Sequence, residues 1–65
     1  MTELRHVSAA EMKKETGFSN ALGYSKPAED LIMIRKGLNK KKRHEVIAHE
    51  EEHMMKGEEG PFLSA

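Results

Sequence analysis

The sequence of 65 residues contains no cysteine, so no disulfide holds its fold, and the absence fits a reducing, intracellular compartment. It has no tryptophan, one tyrosine and two phenylalanines, which leaves little aromatic mass for a core. No run approaches the roughly 20 apolar residues of a membrane span, and Met1-Thr2-Glu3-Leu4 lacks the charged and apolar regions of a signal peptide. These absences predict a soluble, cytoplasmic protein. Neither sign of charge is in excess, with eleven Lys and Arg against eleven Asp and Glu. Net charge therefore selects neither nucleic acid nor a membrane surface as partner.

A chain of this length is expected to form one small domain over residues 1–65, complete in itself or cut from a longer protein. At this size folding buries only about 60% of the surface the unfolded chain exposes. Small domains usually need a staple. With cysteine missing, the choices are a metal held by His and carboxylate groups, or burial against another chain or the rest of a larger parent protein.

Local signals predict an α+β fold: a short N-terminal helix, a small β-hairpin or edge strand, and a long C-terminal active-site helix. Ser8-Ala9-Ala10-Glu11 has the Ser-x-x-Glu form of a capping box, and a helix should run from it to just before Gly17. Turn residues crowd between Gly17 and Pro27, with Ala21, Leu22 and Tyr24 as a short strand. Leu31-Ile32-Met33-Ile34 is the best strand candidate. Asn39 caps a helix from Lys40 to about Lys56, closed by Gly57 in a left-handed conformation. Val46, Ile47, Ala48, Met54 and Met55 should pack on the strand and the first helix, with Met12, Phe18, Leu22, Leu31, Met33 and Leu38 as the complement. Glu58-Glu59-Gly60-Pro61 cannot continue the helix, and Phe62-Leu63 is expected to fold back as a lid.

The long helix carries His49-Glu50-Glu51-Glu52-His53. Residues four apart on a helix are about 40° apart around its axis, one turn above the other, so His49 and His53 can share one cation while Glu50 flanks them. Zinc takes neutral imidazole readily, and a catalytic site keeps a position for water, whose pKa the metal lowers to about 7. Glu50 is placed to take that water's proton. The pattern is His-Glu-x-x-His. The competing reading of the same segment is a solvated, charge-rich helix face.

From Gly23 to His53 the chain resembles the minimal zincin-like zinc metallopeptidases, including those of phage and mobile-element regulators. In that group a strand and an Arg-bearing helix entry lead into the His-Glu-x-x-His helix. The resemblance implies that His49 and His53 are Zn2+ ligands, that Glu50 is the general base of peptide-bond hydrolysis, and that the strand at Leu31 to Ile34 offers its edge to a peptide or protein substrate. It also implies a cytoplasmic location, in a host cell or in a virion. Glu51 and Glu52 depart from the small or apolar residues such families often carry after the catalytic Glu.

Catalytic zinc sites generally use three protein ligands. Glu58 and Glu59 are the nearest candidates for the third. The metzincin spacing, six residues past the second His, falls on Glu59, but the glycine comes one position late, so Glu58 is equally eligible. His44 lies about 140° from His49 around the helix and should not share the ion, and His6 has no position that the sequence fixes. Lys40 to Arg43 at the helix start and glutamates at its end reverse the arrangement the helix dipole favours, a crowding of charge that a bound dication would offset. Two rivals remain: a non-catalytic zinc-stabilised module of a larger protein, such as a phage structural or delivery protein, and a small nucleic-acid-binding regulator using Lys40 to Arg43.

Overall fold

The structure, a computed structural model, describes residues 2–63. The elements run β1 (Glu3–Val7), α1 (Ala9–Thr16), β2 (Ala21–Lys26), a 3-10 turn (Pro27–Glu29), β3 (Leu31–Arg35), α2 (Lys40–Lys56) and β4 (Gly60–Leu63). This is an α+β fold whose four strands form one mixed sheet in the order β1-β3-β2-β4. β1 runs parallel to β3, and β2 is antiparallel to both β3 and β4.

The helices begin and end where their caps place them. Ser8 Oγ accepts the Glu11 N–H at 3.1 Å, and Gly17 closes α1 at φ 83°. Asn39 Oδ1 accepts the Lys42 N–H at 2.8 Å, and Gly57 closes α2 at φ 70°. Both ends adopt the positive φ that glycine tolerates without steric cost.

Side chains alternate across a strand, and β3 shows the consequence. Leu31 and Met33 join Val7, Met12 of α1 and Ala21 in one buried cluster, whereas Ile32 and Ile34 join Leu22 and Val46 of α2 in another. The two helices therefore cover opposite faces of the sheet. α2 packs on the sheet rather than on the first helix, which corrects that part of the expected core. Val46 is fully buried and Ile47 and Met54 partly so, but Ala48 is exposed and Met55 is 88% exposed. Phe18, expected in the core, is 40% exposed.

Two further expectations are corrected. The long helix is not the last element, because Gly60–Leu63 returns as β4 and pairs with β2 instead of forming a lid. Pro61 is tolerated there because β4 lies at the sheet margin, where a missing N–H costs no ladder bond if it faces outward. The strand at Leu31 to Ile34 is central, paired by β1 on one side and β2 on the other, so its edge is closed to a substrate.

A register slip between Ala21 and Gly23 in the β2–β4 pairing sets the site. The additional residue of a bulge breaks strict alternation, so Leu22 joins the α2-side cluster and Gly23 also turns its Cα toward α2. Beyond it, Tyr24 packs on the α1 side and Ser25 reaches His53 on the α2 side. Without the slip, Ser25 would lie on the other face.

Candidate metal centre

The centre lies between α2 and the margin formed by β2 and β4. On α2, Val46, Glu50 and His53 succeed one another at helical spacing along the face turned to the sheet. Val46 and Glu50 have no exposed surface, and His53 is half-buried. His49 lies one turn from His53, with ring centroids 4.5 Å apart. Ligand-capable atoms of His49, Glu50 and His53 all fall within 4.8 Å of one another. Among the described residues this is the one group of three or more His, Asp or Glu side chains so placed.

Glycines make the close approach possible. A Cβ on Gly23 would overlap Val46 Cγ1 and stand 3.2 Å from Glu50 Oε2, so only glycine lets α2 settle here. A Cβ on Gly60 would lie 3.3 Å from the His53 ring, a contact tight enough to push the imidazole aside. Phe62 of β4 meets the His49 ring edge-on, with centroids 4.9 Å apart, and Lys42 Nζ stands 5.9 Å from the Phe62 centroid.

Two groups converge on one nitrogen of His53. Its Nδ1 lies 3.2 Å from Glu50 Oε1 and 3.3 Å from Ser25 Oγ. Ser25, fully buried, also donates toward the carbonyls of Glu58 and Gly60, at 3.2 and 3.3 Å. Because serine and carboxylate both address Nδ1, the trio does not form a serine–histidine–acid relay, which needs one partner on each ring nitrogen. Both contacts address Nδ1 rather than Nε2, an arrangement in which Nε2 could serve a metal.

Glu50 is the electrostatic anomaly. Neither carboxylate oxygen makes a hydrogen bond of good geometry among the described residues. Burial pushes its carboxyl up from 4.5 to about 7, while the nearby Ser25 hydroxyl and Phe62 backbone pull in the other direction without prevailing. A buried carboxyl short of donors is costly when ionised. A cation held between it and the two imidazoles would remove that cost, and two imidazoles with a carboxylate are a donor set that zinc accepts.

The structure thus brings together His49, Glu50 and His53, and it does not bring Glu58 or Glu59 to them. Tyr24 donates to Glu59 Oε2 at 2.6 Å, on the α1 side of the sheet. That bond, with burial second, pushes the Tyr24 phenol up to about 12. Glu58 is exposed and contributes its backbone carbonyl to Ser25. His44 is exposed, and His6 on β1 accepts the Arg43 Nε at 3.0 Å. The basic run does not present one surface: Lys42 pairs with Glu45 at 3.3 Å and Arg43 turns to His6. Sequence reasoning missed Gly23, Ser25, Gly60 and Phe62. For Gly23 a signal existed, since glycine inside a strand pattern marks a close backbone approach.

Comparisons with protein-family models, with curated proteins and with solved structures gave no match. The site is accordingly described by its own side chains, two imidazoles and one carboxylate grouped closely enough that they could hold a metal ion.

Proposed function

We propose that the protein is a zinc-binding domain of metallopeptidase type, in which His49 and His53 hold the metal and Glu50 serves as the base for peptide-bond hydrolysis. The convergence of the three side chains on one face of α2 carries this reading. Zinc at such a site acidifies a water and polarises a carbonyl. A base must lie close to the water it deprotonates, and Glu50 stands beside both imidazoles on the same helix; a bound dication would favour its ionised form, the form a base needs. Ser25 and Glu50 both stand beside His53 Nδ1, at 3.3 and 3.2 Å, and so favour the ring orientation that turns Nε2 away from them. A peptide substrate would approach along β4, the strand beside His49 and His53, since β3 has no free edge.

A second reading is favoured by one observation. Glu50 has no exposed surface, as suits a carboxylate that closes a structural site rather than one that meets substrate. On that reading zinc supplies folding energy to a module of a larger assembly. The two separate on Glu50→Gln. Calorimetric zinc titration is expected to show one site per chain, lost in His49→Ala and His53→Ala. In the catalytic case, zinc-loaded natural protein cleaves a mixed peptide library and Glu50→Gln binds zinc without cleaving. A zinc-loaded natural chain that cleaves nothing sinks the catalytic reading, and absence of zinc binding sinks both.

A further inference from the structure

Among the described residues, the outer strand β1 pairs only with β3, and the direction of its hydrogen-bonding groups is fixed by that pairing. The Glu3 N–H donates to the Asp30 carbonyl at 2.9 Å, and the Val7 carbonyl accepts the Lys36 N–H at 2.7 Å. N–H and C=O groups alternate sides along a strand, so Glu3, Arg5 and Val7 point theirs at β3. Leu4 and His6 point theirs away from the sheet.

Long unpaired edges invite pairing, and charged residues usually deter it. Here the charges alternate in sign at a spacing of two. Glu3 and Arg5 lie on the α1 face of the sheet, in register with Leu31 and Met33, and pair with each other at 3.0 Å. Leu4 lies between them on the α2 face, in register with Ile32, and is 39% exposed. Beside it is an open recess lined by Thr2, Ile32, Glu51, Met54 and Met55.

We propose that β1 is a self-association edge, pairing antiparallel with β1 of a second copy about a two-fold axis at Leu4. This register makes Leu4 a hydrogen-bonded pair with its own mate, matching the outward direction of its N–H and C=O, and aligns Thr2 with His6 in the next such pair. Glu3 of each copy then faces Arg5 of the other in the closely spaced, non-hydrogen-bonded positions, where opposite charges attract and like charges repel. The two Leu4 side chains meet on the α2 face, the face whose recess Thr2, Ile32 and Met55 line. A two-fold axis at Arg5 would instead set arginine against arginine. The second copy thus satisfies backbone, charge and apolar surface together, and the two sheets join into one of eight strands. The inference depends on no part of the metal centre.

Sedimentation velocity on the full chain, at low salt and up to roughly millimolar concentration, tests it. A reversible dimer is expected, at least about tenfold weaker for Arg5→Glu, which sets Glu3 against a glutamate, and restored to near the natural value by Glu3→Arg with Arg5→Glu. Leu4→Pro, which removes an outward N–H and no internal bond, is expected to be monomeric. Circular dichroism checks that each variant folds; where Leu4→Pro does not, the charge pair decides. A natural chain that stays monomeric throughout, or a double variant no tighter than Arg5→Glu alone, overturns the proposal.

Discussion

Replacing Glu50 with Gln in metal-free protein should stabilise it at alkaline pH and remove most of its pH dependence. The carboxyl rises from 4.5 in the unfolded chain to about 7 in the folded one, so the folded state holds the proton more tightly. The associated stability is fully present below about pH 4.5 and is lost as pH rises through about 7. At about 1.4 kcal/mol per pH unit the full loss is about 3.5 kcal/mol. His53 Nδ1, 3.2 Å away, faces the carboxylate and offsets part of the loss, so about 3.5 kcal/mol is the upper end. Domains of this size rarely have more than about 3–5 kcal/mol in total. Metal-free protein should therefore be close to unfolding near pH 8 and stable near pH 5, with a Tm difference on the order of 10–20 °C. Urea unfolding followed by far-ultraviolet circular dichroism, with a chelator present, measures it. Equal stability at the two pH values, or an unchanged slope in Glu50→Gln, would refute the reasoning. Zinc should have the opposite pH profile, since its ligands must be deprotonated and its affinity falls with acidification.

Glu59→Gln and Glu58→Gln should leave zinc affinity within about twofold of natural, because neither carboxylate joins the histidines; a loss above about tenfold in calorimetry would make that residue a ligand. Tyr24→Phe removes the hydrogen bond to Glu59 and should cost about 0.5–1.5 kcal/mol in urea unfolding without altering zinc binding. Gly23→Ala forces a methyl against Val46 and Glu50; a cost of about 1–3 kcal/mol is expected, with weaker zinc binding as α2 shifts, and Val46→Ala in the same chain should recover part of it. Asn39→Ala removes the cap on Lys42 N–H and should lower stability by about 1 kcal/mol, seen as a lower urea midpoint.

The helices were legible because their ends are written in local chemistry. Ser8 with Glu11, Asn39, Gly17 and Gly57 act within a few residues of themselves, and α2 spans Lys40–Lys56 as its caps require. The sheet was less legible because its pairing is non-local. β1 offers only Val7 to the interior, so its apolar pattern is too thin to announce a strand, and it forms by lying beside β3 some 28 positions on. The central place of β3 did have a signal: four consecutive buried apolar residues, Leu31 to Ile34, are what a strand covered on both faces reads like, whereas an edge strand alternates. At the site, His49, Glu50 and His53 follow from helical spacing alone. Ser25 does not, since its side depends on a bulge that no local residue preference specifies.

The positions around Glu50 share a feature that packing alone does not explain. Gly23 sits in a strand interior, where glycine weakens the strand; Ser25 is a hydroxyl with no exposed surface; and Glu50 is a carboxyl facing the core of a chain with little core to spare. For stability alone, apolar residues of similar volume at Ser25 and Glu50 would serve better, as buried ionic groups replaced by well-packed apolar ones generally show, and Gly23 is held to glycine by the closeness of Val46 and Glu50. Their departures are not scattered: one lies on α2, two on β2, and a fourth glycine-dependent contact, Gly60 on β4, meets the same His53 ring. Local rules broken by several elements at one point are what a functional or strained site shows, and this concentration supports the proposed metal site. On the proposed reading a cation would return stability to this spot, because it would neutralise Glu50 and use both imidazoles at once. On that reading metal binding is coupled to folding, and zinc should raise the stability of the folded chain most at neutral to alkaline pH, where the metal-free protein is weakest.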